Sequence, residues 1–386
     1  MLTLKQHIQT QSQSFYLGLA MFSMFFGAGN IIFPLAVGQY AGSENLYGAA
    51  GLILTGTIMP IGGVIAMILF DGNYSAFFGR LGKVPGFCLA LLTISLLGPL
   101  GSTPRCIALS YTTLKSALFG LHPILFSAAA CGLVFLLSFR KNRILPILGW
   151  VLTPILLTSL IGIIIIGLWT PSTPHSIQES SFSIFLHGLK EGYNTMDLLA
   201  AFFFSSAIVR ILKDTSSTSG SYVSTALGAS VIGGILLGAI YIGFSSVAAL
   251  HGSNLSHVCK DELLTALVLK IAGPYATALV SITVAVACLT TAIALISAFT
   301  DFLQKEVFQN KIRYETLLAG SLLLTFFIST FEFTGISAFL GPILQICYPG
   351  LILLTFLNIA YRLKNVQPIK TPVFLAFAIA AYWYFL

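Results

Sequence analysis

The sequence predicts an all-α, polytopic membrane protein, and its composition and its apolar runs carry that prediction. Hydrophobic residues make up 56% of the 386 residues, whereas charged residues make up only 8%. The mean hydropathy is +0.93. Apolar runs that can cross a hydrocarbon core of about 30 Å, which takes about 20 residues, recur along the whole chain. No soluble domain of this length has such a balance, so we expect residues 1–386 to form one membrane-embedded domain.

We predict eleven membrane spans, one for each apolar run. They lie near residues 15–38, 48–70, 84–113, 121–139, 144–169, 183–212, 222–250, 275–302, 314–331, 335–361 and 372–386. The polar start of the chain and the first apolar run lack the pattern of a cleaved secretory signal, so we expect the first span to be retained. The last run is short, but Tyr382, Trp383 and Tyr384 suit a membrane interface.

Lysine and arginine residues test this topology, because they accumulate in the cytoplasmic loops of membrane proteins. If the N-terminus is cytoplasmic, fourteen of them lie in loops on that side. Four lie on the other side, namely Lys115, Lys190, Lys260 and Lys270. We therefore expect a cytoplasmic N-terminus and an extracytoplasmic C-terminus. The same bias explains the net charge of +7, so no nucleic-acid partner is indicated.

Two of the predicted spans are interrupted by poor helix formers. The first contains FFGAGNIIFP at 25–34, and the sixth contains EGYNTMDLLAAFFF at 191–204. Glycine costs about 1 kcal/mol in a helix relative to alanine, and each unpaired backbone group in lipid costs several kcal/mol. Such breaks persist where they line a cavity inside the protein, so each break is a candidate binding site. The alternative is that the glycines only allow close helix packing.

The spacing of the two breaks predicts an internal repeat. The interrupted spans are the first and the sixth, five spans apart. Because successive spans cross the membrane in alternating directions, two spans separated by an odd number run in opposite directions. We therefore predict a single membrane transport domain of two inverted repeats, 15–169 and 183–361, each opened by a discontinuous helix, with an extra C-terminal helix at 372–386. Paired interrupted helices are typical of the central site of secondary transporters.

The chemistry of a broken helix suits a zwitterion with an apolar tail. A half-helix that begins after Gly29 offers backbone N–H groups and a positive dipole end to a carboxylate. Unwound carbonyls nearby favour a cation or an ammonium group. Phenylalanine side chains around the breaks could surround the tail, and the candidates are Phe25, Phe26, Phe202 and Phe203.

Four motifs in order along the chain resemble those of a known family. They are FGAGNIIFP at 26–34, GPLGSTPR at 98–105, GYNTMD at 192–197 and ACLTTAIAL at 287–295. The chain resembles the bacterial branched-chain amino acid:cation symporters of the BrnQ type. The resemblance implies a leucine-transporter-like 5+5 core in a bacterial plasma membrane and import of leucine, isoleucine and valine by alternating access. It also implies Na⁺ as the coupled ion and no cofactor, although relatives usually have twelve spans.

The resemblance also implies a role for individual residues. The substrate site would comprise the amides of Gly27, Ala28 and Gly29, a supporting Asn30, and an opposite wall of Tyr193, Asn194 and Thr195. The sodium site would comprise the carbonyls of Ser23 and Phe26 together with Ala287, Thr290 and Thr291. Oxygen ligands of this kind suit a hard cation. The alternative is that the two threonines bond to their own helix backbone.

Arg105 and Asp197 are charged residues at membrane depth, where a charge costs at least a few kcal/mol and usually marks function or a buried pair. Arg105 could instead extend to an interface, and Asp197 could cap the second half of the sixth helix. The sharper hypothesis is that the two residues pair across the helices and act in gating or coupling.

Other functional classes explain the sequence less well. The six histidines lie in loops or near span ends without metal-ligand spacing, and neither a catalytic triad nor a phosphate-binding loop can be assembled. We therefore expect that the protein is not an enzyme and that its only partners are a small-molecule substrate and the lipid bilayer. A channel would need a continuous polar lining, which the clustered polar residues do not supply. A proton-coupled carrier of another neutral amino acid stays open as the main alternative.

Overall fold

A computed structural model describes residues 2–115, 122–139, 144–174, 176–215, 219–255 and 257–385. Within these ranges the chain is helical and forms no strand. The α-helices are α1 (Leu2–Phe25), α2 (Ala28–Ala41), α3 (Asn45–Ile53), α4 (Met59–Leu69), α5 (Tyr74–Gly79), α6 (Lys83–Leu97), α7 (Ser102–Leu114), α8 (Pro123–Ser138), α9 (Ile144–Trp169), α10 (Ser181–Asn194), α11 (Asp197–Thr215), α12 (Ser219–His251), α13 (Leu263–Phe302), α14 (Tyr314–Ser329), α15 (Glu332–Lys364) and α16 (Lys370–Phe385).

The predicted spans coincide with single helices or with pairs of consecutive helices. The second span consists of α3 and α4, joined by a π-helical turn at Leu54–Ile58. Five segments of the described chain are long and apolar enough to cross a membrane, namely Ala28–Leu69, Lys83–Leu114, Val223–His251, Lys260–Val307 and Glu332–Lys364. Shorter apolar helices include Pro123–Ser138 and Tyr314–Ser329.

The third span is also broken, which the sequence reasoning did not predict. Helix α6 ends at Leu97 and α7 begins at Ser102. The backbone between them is packed too closely for side chains: a Cβ on Gly98 would lie 2.8 Å from Cβ of Phe299. A Cβ on Gly101 would lie 2.2 Å from the carbonyl oxygen of Leu96. In the described part of the chain, the first, third and sixth predicted spans are therefore discontinuous, and α13 is interrupted at Gly273, just before the predicted eighth span.

Helix packing divides the chain into two groups of spans. Helices α1 and α2 pack on α12, α3 packs on α10, and α4 packs on α11. The first, second, sixth and seventh spans thus form one group, which we call the bundle. In the other group, which we call the scaffold, α13 packs on α7 and α9, and α14 packs on α8.

Glycines bring helices of the bundle into backbone contact. A Cβ on Gly51 would lie 2.1 Å from the carbonyl oxygen of Phe185, and one on Gly188 would lie 2.0 Å from that of Gly48. Helices α3 and α10 therefore cross with their backbones touching, as small residues allow in membrane proteins. Close packing is thus the role of glycines at this crossing.

Candidate substrate and cation site

The break in the first span is closed by a side chain. Helix α1 ends at Phe25 and α2 begins at Ala28. The backbone N–H of Gly27 donates to Oδ1 of Asn30 over 2.9 Å. An asparagine three residues into a helix can satisfy an N–H that has no partner within the helix, which explains why the chain can unwind here. The amide of Gly27 is therefore already bonded.

The break in the sixth span lies between α10 and α11. Thr195 and Met196 separate the two helices, and Met196 has a left-handed backbone with φ of 65°. Oγ1 of Thr195 donates to the carbonyl oxygen of Gly192 over 2.8 Å. Asp197 is the first residue of α11, where a carboxylate is stabilised by the helix dipole.

The two breaks meet in the centre of the bundle. Nδ2 of Asn30 donates to Oδ1 and Oδ2 of Asp197 over 2.8 and 2.9 Å. The hydroxyl of Tyr241, on α12, donates to Oδ2 of Asp197 over 2.5 Å. A Cβ on Gly29 would lie 3.3 Å from Cα of Thr195, so the backbones of the two breaks are adjacent.

The predicted pairing of Arg105 with Asp197 is wrong. The oxygens of Asp197 accept from Asn30 and Tyr241, whereas Nη1 of Arg105 donates to the carbonyl oxygen of Asn194 over 2.9 Å. Arg105 does not extend to an interface either, since it is 1% exposed. The pairing fails because neutral donors on α2 and α12 reach the carboxylate, whereas the guanidinium bonds to the backbone at the end of α10, on the other side of the same break.

Other predicted substrate residues surround the same place. Tyr193 stacks on Tyr348 of α15 with ring centroids 4.6 Å apart. Nδ2 of Asn194 donates to Oε2 of Glu191 over 3.0 Å. Sγ of Cys106, the residue after Arg105, would lie 3.8 Å from a Cβ on Gly27.

The predicted apolar residues lie in aromatic clusters. Phe26 stacks on Phe22, and Phe25 packs edge-on against Phe204. Phe202 packs against Phe77 of α5. Phe203 packs against Tyr74 of the same helix.

The predicted cation ligands converge between α13 and the first break. Oγ1 of Thr291 lies 3.0 Å from the carbonyl oxygen of Phe26 and 3.0 Å from that of Ala287. Oγ1 of Thr290 bonds to the carbonyl of Ala287 in its own helix over 2.8 Å. Ser23 lies in the last turn of α1, and Phe26 directly follows that helix. Thr291 thus connects α13 to the first break, whereas Thr290 bonds to the backbone of its own helix.

Sequence reasoning missed two tyrosines at this centre. Tyr241 and Tyr348 are both fully buried. Each is a polar aromatic residue in the interior of a long apolar helix rather than at its end, where membrane tyrosines are usual. That position was a usable signal, because a buried tyrosine hydroxyl generally needs a partner.

The described residues between α12 and α13 are 252–255 and 257–262, and we call them the arm. Nζ of Lys260 lies 2.6 Å from Oε1 of Glu191 on α10. Asp261 accepts from Thr112 of α7 and Thr334 of α15 over 3.2 and 3.4 Å. The arm therefore contacts both the bundle and the scaffold.

The opposite side of the molecule carries a polar cavity of about 340 Å³. Its lining includes Tyr74, Ser206 and Glu306. At its edge Nζ of Lys213 lies 2.9 Å from Oδ1 of Asp71. The molecule is thus covered by the arm on one side and has a polar recess on the other.

Comparison with known proteins identifies the family. The family model described as branched-chain amino acid transport protein matches residues 10–383. The chain belongs to this family. It is 30% identical to the branched-chain amino acid permease BrnQ of Corynebacterium glutamicum over 90% of this chain and 81% of the relative. It is also 30% identical to the Bacillus subtilis permease of the same name, over 90% and 82% of the two chains.

Solved structures support the transporter fold. The inward-facing conformation of Mhp1 matches 96% of this chain and 88% of its own, with a TM-score of 0.60 and 14% identity. A mutant of the Eremococcus coleocola manganese transporter matches 97% and 85%, with a TM-score of 0.62 and 13% identity. The predicted leucine-transporter-like fold is confirmed. This member of the branched-chain amino acid transport protein family is a multi-pass bacterial membrane protein and a transporter rather than an enzyme, as predicted.

Proposed function

We propose that this chain imports leucine, isoleucine and valine by cation symport. The observation that carries the proposal is the junction of two helix breaks, joined by Asn30 and Asp197, in the centre of the bundle. Irregular backbone inside a membrane is tolerated where it lines a binding cavity. The BrnQ permeases of two bacteria, named for branched-chain amino acids, support this choice of substrate.

Na⁺ is the proposed coupled ion. The oxygens of Phe26, Ala287 and Thr291 lie in hydrogen-bonding contact and are ligands of the type that a hard cation prefers. An ion between them would hold the first break against α13. Because binding free energies are reciprocal, an ion that stabilises this arrangement of the first span raises the affinity for a substrate that needs it.

Transport would proceed by alternating access. The bundle would move relative to the scaffold, so that the centre opens first on the side of the arm and then on the side of the polar cavity. We expect the N-terminus and the polar cavity to lie on the cytoplasmic side, as the distribution of lysine and arginine predicts.

Proton coupling is the second candidate, and Asp197 favours it. This carboxylate is 1% exposed, and its described side-chain partners, Asn30 and Tyr241, are uncharged. A buried carboxylate with neutral partners is a group that can take up and release a proton during a transport cycle.

Uptake of labelled leucine into proteoliposomes with an imposed Na⁺ or H⁺ gradient tests the proposal. We expect saturable uptake that a Na⁺ gradient drives. Thr291→Ala should raise the Na⁺ concentration for half-maximal uptake at least about tenfold, because an oxygen contact to a charge contributes about 1.5–3 kcal/mol. Thr291→Ser should retain most of the Na⁺ dependence.

Thr283→Ala is the matched control, because Thr283 lies in the same helix and bonds to its own backbone at Leu279. Its Na⁺ dependence should equal that of the wild type. Uptake driven only by a H⁺ gradient would favour Asp197 as the coupling group. Uptake that is independent of both gradients would refute symport. Uptake that rises linearly with leucine concentration without saturation would refute a carrier.

A further inference from the structure

Arg105 lies at the junction of all three broken spans. It belongs to the first turns of α7, directly after the break in the third span. Its Nη1 donates to the carbonyl oxygen of Asn194 at the break in the sixth span. That carbonyl oxygen would lie 3.4 Å from a Cβ on Gly29, next to the break in the first span. The guanidinium therefore lies within a few ångströms of the place proposed for the substrate.

Part of this guanidinium has no partner. Nε and Nη2 of Arg105 are buried and make no hydrogen bond. The neighbouring acidic groups are engaged elsewhere, since Asp197 accepts from Asn30 and Tyr241, and Glu191 accepts from Asn194 and Lys260. A buried cation without an anion costs several kcal/mol, so this arrangement is expected only where an anion arrives during function.

The surroundings of the guanidinium are apolar. Its Cζ lies 5.2 Å from the ring centroid of Phe33 and 5.7 Å from that of Phe333. In such surroundings a charge-assisted hydrogen bond is stronger than in water. The two unpartnered donors on one planar guanidinium match the two oxygens of a carboxylate, which arginine binds in a bidentate manner and lysine does not.

One backbone amide at the first break is already engaged. The N–H of Gly27 is bonded to Oδ1 of Asn30. We propose that Nε and Nη2 of Arg105 bind the α-carboxylate of the transported amino acid. This inference rests on the proposed function, and it names the residue that distinguishes an amino acid from its uncharged analogues.

Binding of leucine and of leucinamide, measured by calorimetry on the purified transporter, tests the inference. Leucinamide has the same side chain and amino group but no carboxylate. The wild type should prefer leucine by at least about 100-fold, the cost of removing one partner from a buried charge pair. Arg105→Gln should lower the affinity for leucine about 100-fold and the affinity for leucinamide less than about threefold. The preference for leucine over leucinamide should therefore be almost lost.

Arg105→Lys should give an intermediate preference, because an ammonium keeps the charge but loses the planar pair of donors. This variant carries the test if Arg105→Gln does not fold, as judged by its unfolding temperature and by size exclusion. Arg80→Gln is the matched control, since Arg80 lies 3.6 Å over the ring of Tyr361 and is outside the junction. Its preference should equal that of the wild type.

If Arg105 has a purely structural role, its substitution should lower the affinities for leucine and for leucinamide by the same factor. That result would overturn the inference. The same measurement in chloride and in gluconate separates the substrate carboxylate from an inorganic anion. A leucine affinity that requires chloride, with an unchanged preference over leucinamide in both Arg105 variants, would also overturn it. If the wild type binds no leucine at all, the proposed function fails first, and the result is distinguishable from failure of Arg105 alone.

Discussion

Asn30 is the residue that holds the two central breaks together. Its side-chain oxygen accepts from Gly27 in its own span, and its nitrogen donates to Asp197 in the sixth span. Tyr241 completes the group from the seventh span. Fully bonded buried networks rigidify their surroundings, so Asn30 braces the site rather than offering a free ligand.

Asn30→Ala should therefore lower the stability of the protein. The change leaves the N–H of Gly27 and part of the Asp197 carboxylate without partners, and each such buried group costs about 1–3 kcal/mol. We expect a clear decrease in the unfolding temperature in detergent, together with loss of leucine uptake.

Asn45→Ala is the control for this loss of stability. Asn45 makes only long bonds of 3.4 Å to the hydroxyls of Ser245 and Ser246. Its unfolding temperature should stay close to that of the wild type. Equal decreases in the two variants would contradict the bracing role.

Residue partners were the least predictable part of the site. Two opposite charges at membrane depth suggested a pair, but the sequence does not show which neutral donors face a carboxylate. Asn30 and Tyr241 reach Asp197 from two other helices, and that geometry depends on how the helices pack. By contrast, two residues that the resemblance placed in one site are in contact, since Oγ1 of Thr291 lies 3.0 Å from the carbonyl oxygen of Phe26, and their role as ion ligands stays a prediction.

The contact between two half-helices depends on Gly29. A Cβ at this position would lie 3.2 Å from Cε2 of Phe33 and 3.3 Å from Cα of Thr195. The phenylalanine ring can turn aside, but the backbone at Thr195 would have to shift by a few tenths of an ångström. Glycine therefore allows the two backbones to approach more closely than alanine does.

Gly29→Ala should reduce leucine uptake by about threefold, because the backbone shift is a fraction of the 1 Å displacement that can cost about 100-fold in a binding site. Gly162→Ala is the control, since a Cβ on Gly162 of α9 meets no atom within 4 Å. It should be neutral or should raise stability by about 0.4–1 kcal/mol. Normal uptake by the Gly29→Ala protein would show that the two breaks can separate without loss of function.

Two of the three breaks were predicted at the level of the helix, and the third was missed although the sequence signals it. Glycines flanking Ala28, and the polar run from Tyr193 to Asp197, differ plainly from apolar neighbours. The third span carries a comparable signal, because Gly98, Pro99 and Gly101 are poor helix formers. What the sequence does not show is the tertiary contacts that Gly98 and Gly101 make there.

At the scale of the whole molecule, the arm joins the two groups of helices. It contacts the bundle through Lys260 and Glu191, the scaffold through Asp261 and Thr112, and helix α15 through Asp261 and Thr334. In the alternating-access cycle that we propose, movement of the bundle relative to the scaffold would break one of these sets of contacts. The proposed role of the arm is therefore that of a gate.

Lys260→Gln should open this gate more often. The ion pair with Glu191 is partly exposed, so its loss should change the open population by about 1 kcal/mol, or about fivefold. The measurement is the rate at which an impermeant maleimide labels Cys106 in a protein whose other five cysteines are replaced by serine, namely Cys88, Cys131, Cys259, Cys288 and Cys347.

Lys115→Gln is the control for this labelling experiment. Lys115 lies 3.8 Å from Glu262 in an exposed pair, which contributes little to stability. Its labelling rate should equal that of the wild-type background. If the labelling rate of the Lys260→Gln variant is unchanged, the contact between Lys260 and Glu191 does not keep the arm closed. The contacts of Asp261 would then have that role.

The left-handed backbone of Met196 makes the two central joints mechanically unequal. The first joint, Phe26 and Gly27, contains one glycine, whose backbone angles vary at little cost, whereas the second joint, Thr195 and Met196, contains none. Holding an L-residue such as Met196 in a left-handed conformation costs about 1–2 kcal/mol and narrows the angles open to it. A change of backbone angle therefore costs less at the first joint than at the second.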